Sequence, residues 1–129
     1  MSEQQNRNIL ERLFEVYEHH DLDAYFELLD DEYVDDYVEE YPQSGERIRG
    51  KANRRKIAEN YPGLPNLTEH SYKISGDLAV IEMTLEYEGN RAYSCEITEF
   101  EEGKIKRTRA YFGEPFEAPQ WRAQWVERK

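Results

Sequence analysis

The chain has 129 residues, a formal net charge of −11, 35% charged residues and 13% aromatics, ten of the seventeen aromatics being Tyr. That length suits one domain with one core, residues 1–129, and the composition is globular rather than disordered. The acidic balance argues against nucleic acid and anionic membranes as partners, because the one basic cluster, Lys104 to Arg109, sits among acids.

Residues 4–20 carry the first helical signal. Ile9, Leu10, Leu13, Phe14, Val16 and Tyr17 recur at spacings of three and four, with Glu11, Arg12, Glu15 and Glu18 on the other side. His19-His20 ends this helix. Asp21 can cap a second, whose apolar side is Leu22, Tyr25, Phe26, Leu28 and Leu29. Asp30 to Glu40 holds seven acids and no base. It lacks the ligand spacing and glycine turn of a calcium loop, so it reads as solvated surface.

Tyr33–Tyr41 reads as a strand with two phases: Tyr33, Asp35, Tyr37, Glu39, Tyr41 and Val34, Asp36, Val38, Glu40. Neither phase is clearly apolar, so either can face inward. Pro42 ends the strand, Gln43-Ser44-Gly45 turns the chain, and Glu46–Arg49 can pair back. Gly50 precedes a third helix over 51–60, with Ala52, Ile57 and Ala58 as its modest apolar content. Pro62-Gly63 and Pro65 break the chain, and Leu67–Ser75 is a further strand.

Asp77–Phe112 is a three-strand antiparallel meander. Ala79, Ile81, Met83, Leu85 and Tyr87 alternate with Val80, Glu82, Thr84 and Glu86. A two-residue turn at Gly89-Asn90 sets Leu85 opposite Ser94, Met83 opposite Glu96 and Ile81 opposite Thr98. Polar Ser94, Glu96 and Thr98 then share the inner face with an apolar row. A lone carboxylate in a dry core is expensive, so a half-polar inner face implies a cavity. A three-residue loop, Glu88 to Asn90, would instead turn Tyr93, Cys95 and Ile97 inward and Glu96 to water.

The second turn, Glu101-Glu102-Gly103, sets Phe100 opposite Lys104 and brings Thr108, Ala110 and Phe112 to the inner face. The outer face then collects Tyr93, Cys95, Ile97, Ile105, Arg107, Arg109 and Tyr111, enough apolar surface to call for a partner. Beyond Phe112, Gly113 to Pro119 forms a covering loop and Pro119 opens a last helix. Trp121 and Trp125 share one face of that helix and are expected to pack on the body, over the cavity or over the outer sheet.

The order of these pieces resembles the nuclear transport factor 2-like superfamily, the fold of ketosteroid isomerase and the SnoaL-like polyketide cyclases. The resemblance rests on the His20-Asp21-Leu22-Asp23-Ala24 joint, Glu40-Tyr41-Pro42 followed by Gly50, Ile81-Glu82-Met83, and Gly103-Lys104-Ile105 with Ala110-Tyr111-Phe112. It implies an α+β cone: a curved antiparallel sheet with three N-terminal and central helices enclosing a pocket, often dimeric through its outer sheet face. Ketosteroid isomerase carries an Asp before that Pro, a Tyr on the first helix and a protonated Asp on the sheet. Here the corresponding positions read Tyr41, preceded by Glu40, then Leu13 and Glu96.

Two functions remain open at this level. One is a cofactor-independent isomerase, cyclase or lyase acting on a small hydrophobic molecule. Its catalytic candidates are Glu96, Tyr41 and Glu40, and Leu13, Met83, Ser94, Thr98, Thr108 and Phe112 are its ligand-binding candidates. The other is a non-enzymatic ligand-binding or association module of the same fold. No phosphate loop, dinucleotide fingerprint or metal cluster appears, so neither a cofactor nor a metal is expected. His19, His20 and His70 read as surface residues. Cys95 alone excludes an internal disulfide or a Cys-based zinc site. No apolar run approaches the roughly 20 residues that span a bilayer, and no signal-peptide core opens the chain, so a cytoplasmic protein is the expectation; the apolar outer sheet face makes it a homodimer in expectation.

Overall fold

Ser2 starts the first helix, α1 (Glu3–His19), with a capping box: its hydroxyl accepts from the Gln5 backbone N–H at 3.2 Å, and its own N–H donates to the Gln5 side chain at 3.3 Å. The computed structural model describes residues 2–61 and 64–129. The expected break at Pro62-Gly63 lies outside the described residues. His20, at φ 50°, ends α1, and the Asp21 carboxylate accepts from the Ala24 N–H at 3.0 Å to cap α2 (Leu22–Glu32). Leu10, Leu28 and Leu29 are fully buried where the two helices meet the sheet.

Six strands follow: β1 (Tyr33–Tyr41), β2 (Glu46–Arg49), β3 (Asn66–Ser75), β4 (Leu78–Tyr87), β5 (Asn90–Glu101) and β6 (Lys104–Gly113), with α3 (Lys51–Asn60) between β2 and β3. They form one open sheet in the order β2-β1-β6-β5-β4-β3. Every neighbouring pair is antiparallel except β1 with β6, which is parallel. Helix α1 lies on β3, with the Phe14 ring stacked on His70 at 4.2 Å and on Tyr72 at 5.7 Å. The result is the expected α+β cone, a curved sheet with its helices on the concave side.

Both hairpin turns differ from the sequence expectation, and both for a reason of count. The first turn is Glu88-Gly89, at φ 48° and 84°, with Asn90 already paired to Tyr87. Two successive positive-φ residues make the primed turn that matches strand twist. Ile81 therefore faces Glu96, Met83 faces Ser94 and Ala79 faces Thr98. The pairing has moved by two residues, not one. Side chains alternate with a period of two, so every residue keeps its expected face while changing its neighbour.

The second turn is Glu102-Gly103, and the odd residue appears as a bulge instead. Phe100 pairs with Ile105 but Glu99 with Arg107, leaving Lys106 over. The bulge turns Ile105 inward, where it is 1% exposed; its expected place on the outer face is corrected. Beyond the bulge Thr108, Ala110 and Phe112 return to the concave side, opposite Thr98, Glu96 and Ser94.

Strand β1 turns its aromatics inward: Tyr33 and Tyr37 are buried, while Asp35, of the same phase, points out where the pairing with β6 is irregular between Tyr33 and Val38. The acidic run Asp30 to Glu40 is also more than a solvated surface. Helix α3 buries one apolar residue, Ala58, and sets its cations on those acids. Lys51 Nζ lies 3.1 Å from Asp35, Arg55 lies 3.4 Å from Asp30 with its guanidinium over the Phe26 ring, and Arg54 reaches Glu39 at 3.3 Å.

The tail is the clearest departure. Gln120–Trp125 is a short 3-10 helix, with Trp121 74% and Trp125 73% exposed. Neither ring lids the cavity or covers the sheet. A run of six residues with no apolar partner beneath it gains nothing by turning its rings inward. On the convex face Leu78, Val80, Tyr93 and Tyr111 are exposed, and Cys95 and Ile97 are half-buried. Among the described residues no helix is long and apolar enough to cross a membrane.

The bulge is testable. Ile105→Ala should cost about 2–5 kcal/mol in urea unfolding, as expected for a core truncation. A convex-face Ile105 would lose no more than about 0.5 kcal/mol.

Candidate functional site

The concave face does not fill completely. A cavity of about 130 Å³ remains between the sheet and all three helices. Helix α1 offers it Leu13 and Tyr17, α2 offers Tyr25, and α3 offers Arg54. Tyr33, Tyr37, Glu39 and Tyr41 come from β1, and Glu96 and Thr98 from β5. Ile81, Met83 and Leu85 form the greasy side on β4, with Ala110 and Phe112 on β6.

Two carboxylates face this space, and their surroundings differ. Glu39 is held on three sides. Tyr37 Oη donates to its Oε1 at 2.7 Å, Tyr41 Oη donates to its Oε2, and Arg54 Nε donates to Oε1 at 3.3 Å. The three β1 residues stand two apart, so the strand's own alternation puts both hydroxyls beside the carboxylate. The Glu39 side chain is 12% exposed and that of Arg54 17%. The Arg54 guanidinium also lies over the Tyr25 ring, 5.5 Å from its centroid. Burial works against the Arg54 charge, but Glu39 and the tyrosines around it outweigh that and raise its pKa.

Glu96 has no hydrogen-bond partner among the described residues. It stands opposite Ile81 on one side and Ala110 on the other. It is part of the cavity wall and keeps some of its surface accessible. Burial chiefly, and then the Glu39 charge, push its pKa from 4.5 to about 7, with Arg54 pulling the other way. Both protonation states are therefore populated near neutrality.

The remaining candidates divide. Leu13, Met83, Thr98, Thr108 and Phe112 are on the cavity wall, and the Thr98 and Thr108 hydroxyls face each other at 3.4 Å. Ser94 is buried between Met83 and Phe112 but is not part of that wall. Tyr41 is on the wall and spends its hydroxyl on Glu39. Glu40 is not in the cavity. It lies on the other side of β1, where Arg107 Nε binds it at 2.7 Å and Arg47 approaches to 3.7 Å. The Arg107 hydrogen bond holds its pKa below the usual carboxylate value. Its candidacy as a base is withdrawn, because one strand cannot turn neighbouring residues to the same face.

Sequence reasoning missed Glu39, Arg54 and, apart from Tyr41, the tyrosine lining. The signal was present. Tyr33, Tyr37 and Tyr41 recur in one phase of β1, and Glu39 belongs to that phase. Arg54 shares the helical stripe of Ala58, four residues on.

A pH dependence follows. In the unfolded chain Glu96 loses its proton near the ordinary carboxyl value, but in the folded chain it keeps it to about 7. Between those values the native state binds more protons, so stability falls as pH rises, by a few kcal/mol at most, and levels off above the folded value. Glu96→Gln should abolish that slope in urea titrations run from pH 4.5 to 7.5. By carbon-13 NMR, Glu39→Gln should move the Glu96 pKa down and Arg54→Met should move it up.

A family model described as the SnoaL-like domain matches residues 10–108 of this chain. No curated protein matches the sequence. Among solved structures, an NTF2-like protein of unknown function from Burkholderia xenovorans LB400 is 35% identical over 98% of this chain and 97% of that one, with a TM-score of 0.80. A candidate ketosteroid isomerase from Kribbella flavida DSM 17836 is 26% identical over 98% and 90%, with a TM-score of 0.83. An LEH-like epoxide hydrolase from M. tuberculosis is 22% identical over 85% and 84%, with a TM-score of 0.64, and shares the fold alone. On the extent of the family match and the identity to the Burkholderia protein, this chain belongs to the SnoaL-like domain family of the NTF2-like fold.

Proposed function

We propose that this protein binds a small molecule in its central cavity and acts on it by carboxylate acid/base chemistry without a cofactor, as an isomerase, cyclase or lyase. Glu96 carries the reading: a carboxyl on the cavity wall, free of hydrogen bonds to the described residues, with a pKa near 7. As carboxylate, Glu96 takes a proton from a substrate carbon. The C–H electron pair moves toward a neighbouring carbonyl, whose oxygen gains the negative charge beside Arg54. Glu96 then returns the proton at another carbon, or the electron pair expels a leaving group and Glu96 protonates it. Tyr41 and Tyr37 act through Glu39: they hold the counter-charge that keeps Arg54 in place. Leu13, Met83, Thr98, Thr108 and Phe112 shape the wall. Ser94 sits between Met83 and Phe112 on the same face of the sheet.

The cavity of 130 Å³ holds about four waters and is well below the roughly 300–1,000 Å³ of a drug-sized pocket. The substrate is therefore small, not of steroid size. The same volume favours the second reading, a module that binds a small ligand without transforming it. Deuterium exchange from D2O into a panel of small ketones separates the two. Exchange should rise through pH 7 as Glu96 ionises, and Glu96→Gln should slow it by a factor of about 10²–10⁴. Absence of exchange across the panel would favour the non-enzymatic module.

We also propose a two-fold homodimer through the convex sheet face. Arg47, Arg49, Arg107 and Arg109 lie toward its β2-β1-β6 side, and Glu82, Glu86, Glu99 and Glu101 toward its β4-β5 side. Val80, Tyr93, Ile97 and Tyr111 lie on the apolar ground between them. A two-fold operator can lay the basic half of one copy on the acidic half of the other. Light scattering should give twice the chain mass at micromolar concentration, and Ile97→Lys should halve it. A monomeric wild type would contradict the dimer.

A further inference from the structure

Beside the Glu96 carboxyl, the cavity wall holds several hydrogen-bond donors that no described residue meets. Arg54 commits its Nε to Glu39, and neither of its terminal nitrogens has a hydrogen-bond partner among the described residues. A guanidinium cannot accept, so those nitrogens can be met only by an acceptor. Tyr25 and Tyr33 are 2% and 6% exposed, yet their hydroxyls bond to no described residue. Both residues line the cavity. Glu39 already accepts three hydrogen bonds, and the Thr98 and Thr108 hydroxyls serve each other. Against these donors stands a short apolar wall of Ile81, Met83, Leu85 and Ala110.

We propose that the cavity takes a short-chain organic carboxylate, its two oxygens meeting the terminal nitrogens of Arg54 and the tyrosine hydroxyls, and its carbon chain lying on the β4 and β6 wall. This rests on reading the cavity as a small-molecule site. Arg is suited to the role because its planar fork matches a carboxylate with two parallel bonds. A neutral ketone of the same size fills the same volume but forgoes the opposite charge and the second of the two parallel bonds. An amine would set a second cation beside Arg54. The volume limits the acid to a few carbons, since about four waters' worth of space must hold both head and chain.

Charge then links binding to pH. The Glu39–Arg54 pair is neutral as a unit, so an incoming carboxylate meets Glu96 as the second free acid in a small enclosed space. Two such groups do not both stay ionised. Glu96 keeps or takes up a proton when the acid binds. Affinity is full below the Glu96 pKa and declines above it.

Isothermal titration of the whole protein with butyrate, 2-butanone and n-butylamine at pH 6 and pH 8 tests this. Butyrate should bind, about tenfold more weakly at pH 8 than at pH 6. Glu96→Gln should bind it equally at both pH values. Arg54→Lys, which keeps the charge opposite Glu39 but loses the fork, should weaken it about tenfold or more. Binding of butylamine, equal binding of butanone, or butyrate affinity that ignores pH would each overturn the carboxylate assignment. If no probe binds while NMR still finds Glu96 titrating near 7, the ligand class fails and the acid/base reading stands. If Glu96 titrates as an ordinary exposed carboxyl, that reading falls too.

Discussion

Arg54 and Glu39 meet in the layer between helices and sheet, and much of the molecule is arranged around that contact. Helix α3 buries a single apolar residue, so hydrophobic packing alone would hold it poorly. It docks by charge instead, laying Lys51, Arg54 and Arg55 on Asp35, Glu39 and Asp30. The two exposed contacts are worth little singly. The inner pair differs because both side chains are largely out of water. Desolvation offsets most of the Coulomb attraction there, so such a pair contributes modestly as a unit, while removing either member alone costs on the order of 3–5 kcal/mol. Tyr37, Tyr41 and the Tyr25 ring make the arrangement tolerable by giving each charge further partners.

That pairing determines what the rest of the cavity can do. With Glu39 occupied on both oxygens, Glu96 is left as the carboxyl without a fixed partner. Its surroundings are the apolar row of β4 and the tyrosine rings, which penalise charge, and the outcome is an acid balanced between two states near neutral pH. One carboxylate is committed and the other free, and the difference arises from their neighbours rather than their chemistry. The small volume narrows the molecules that can share the space. The donors around it narrow them again.

Much of this was legible from sequence wherever a period governs. The amphipathic stripes of α1 and α2, the Asp21 cap and the alternation of β4 through β6 are local properties of the covalent chain. The alternation puts Glu96 on the concave face even though both hairpin turns differ in count from the sequence expectation. A slip of two residues along a strand leaves parity unchanged. Ile105 shows the limit: one extra residue at Lys106 reverses parity, and whether that residue joins the turn or the strand depends on how two strands settle against each other. Trp121 and Trp125 show another, since helical spacing aligns two rings but supplies nothing for them to pack on.

The sequence by itself determined the elements, their order and which face most sheet residues take, because those follow from periodicities of 2 and 3.6 and from turn chemistry. Tertiary structure alone decided that Tyr37, Glu39 and Tyr41 of β1 point inward and Glu40 outward. Both phases of that strand are half polar, and the choice falls to the partner each finds: Arg54 from α3 for Glu39, Arg107 from β6 for Glu40. Those partners are 15 and 67 residues away along the chain, and no local pattern records a meeting that occurs only once the sheet has curved and the helix has crossed it.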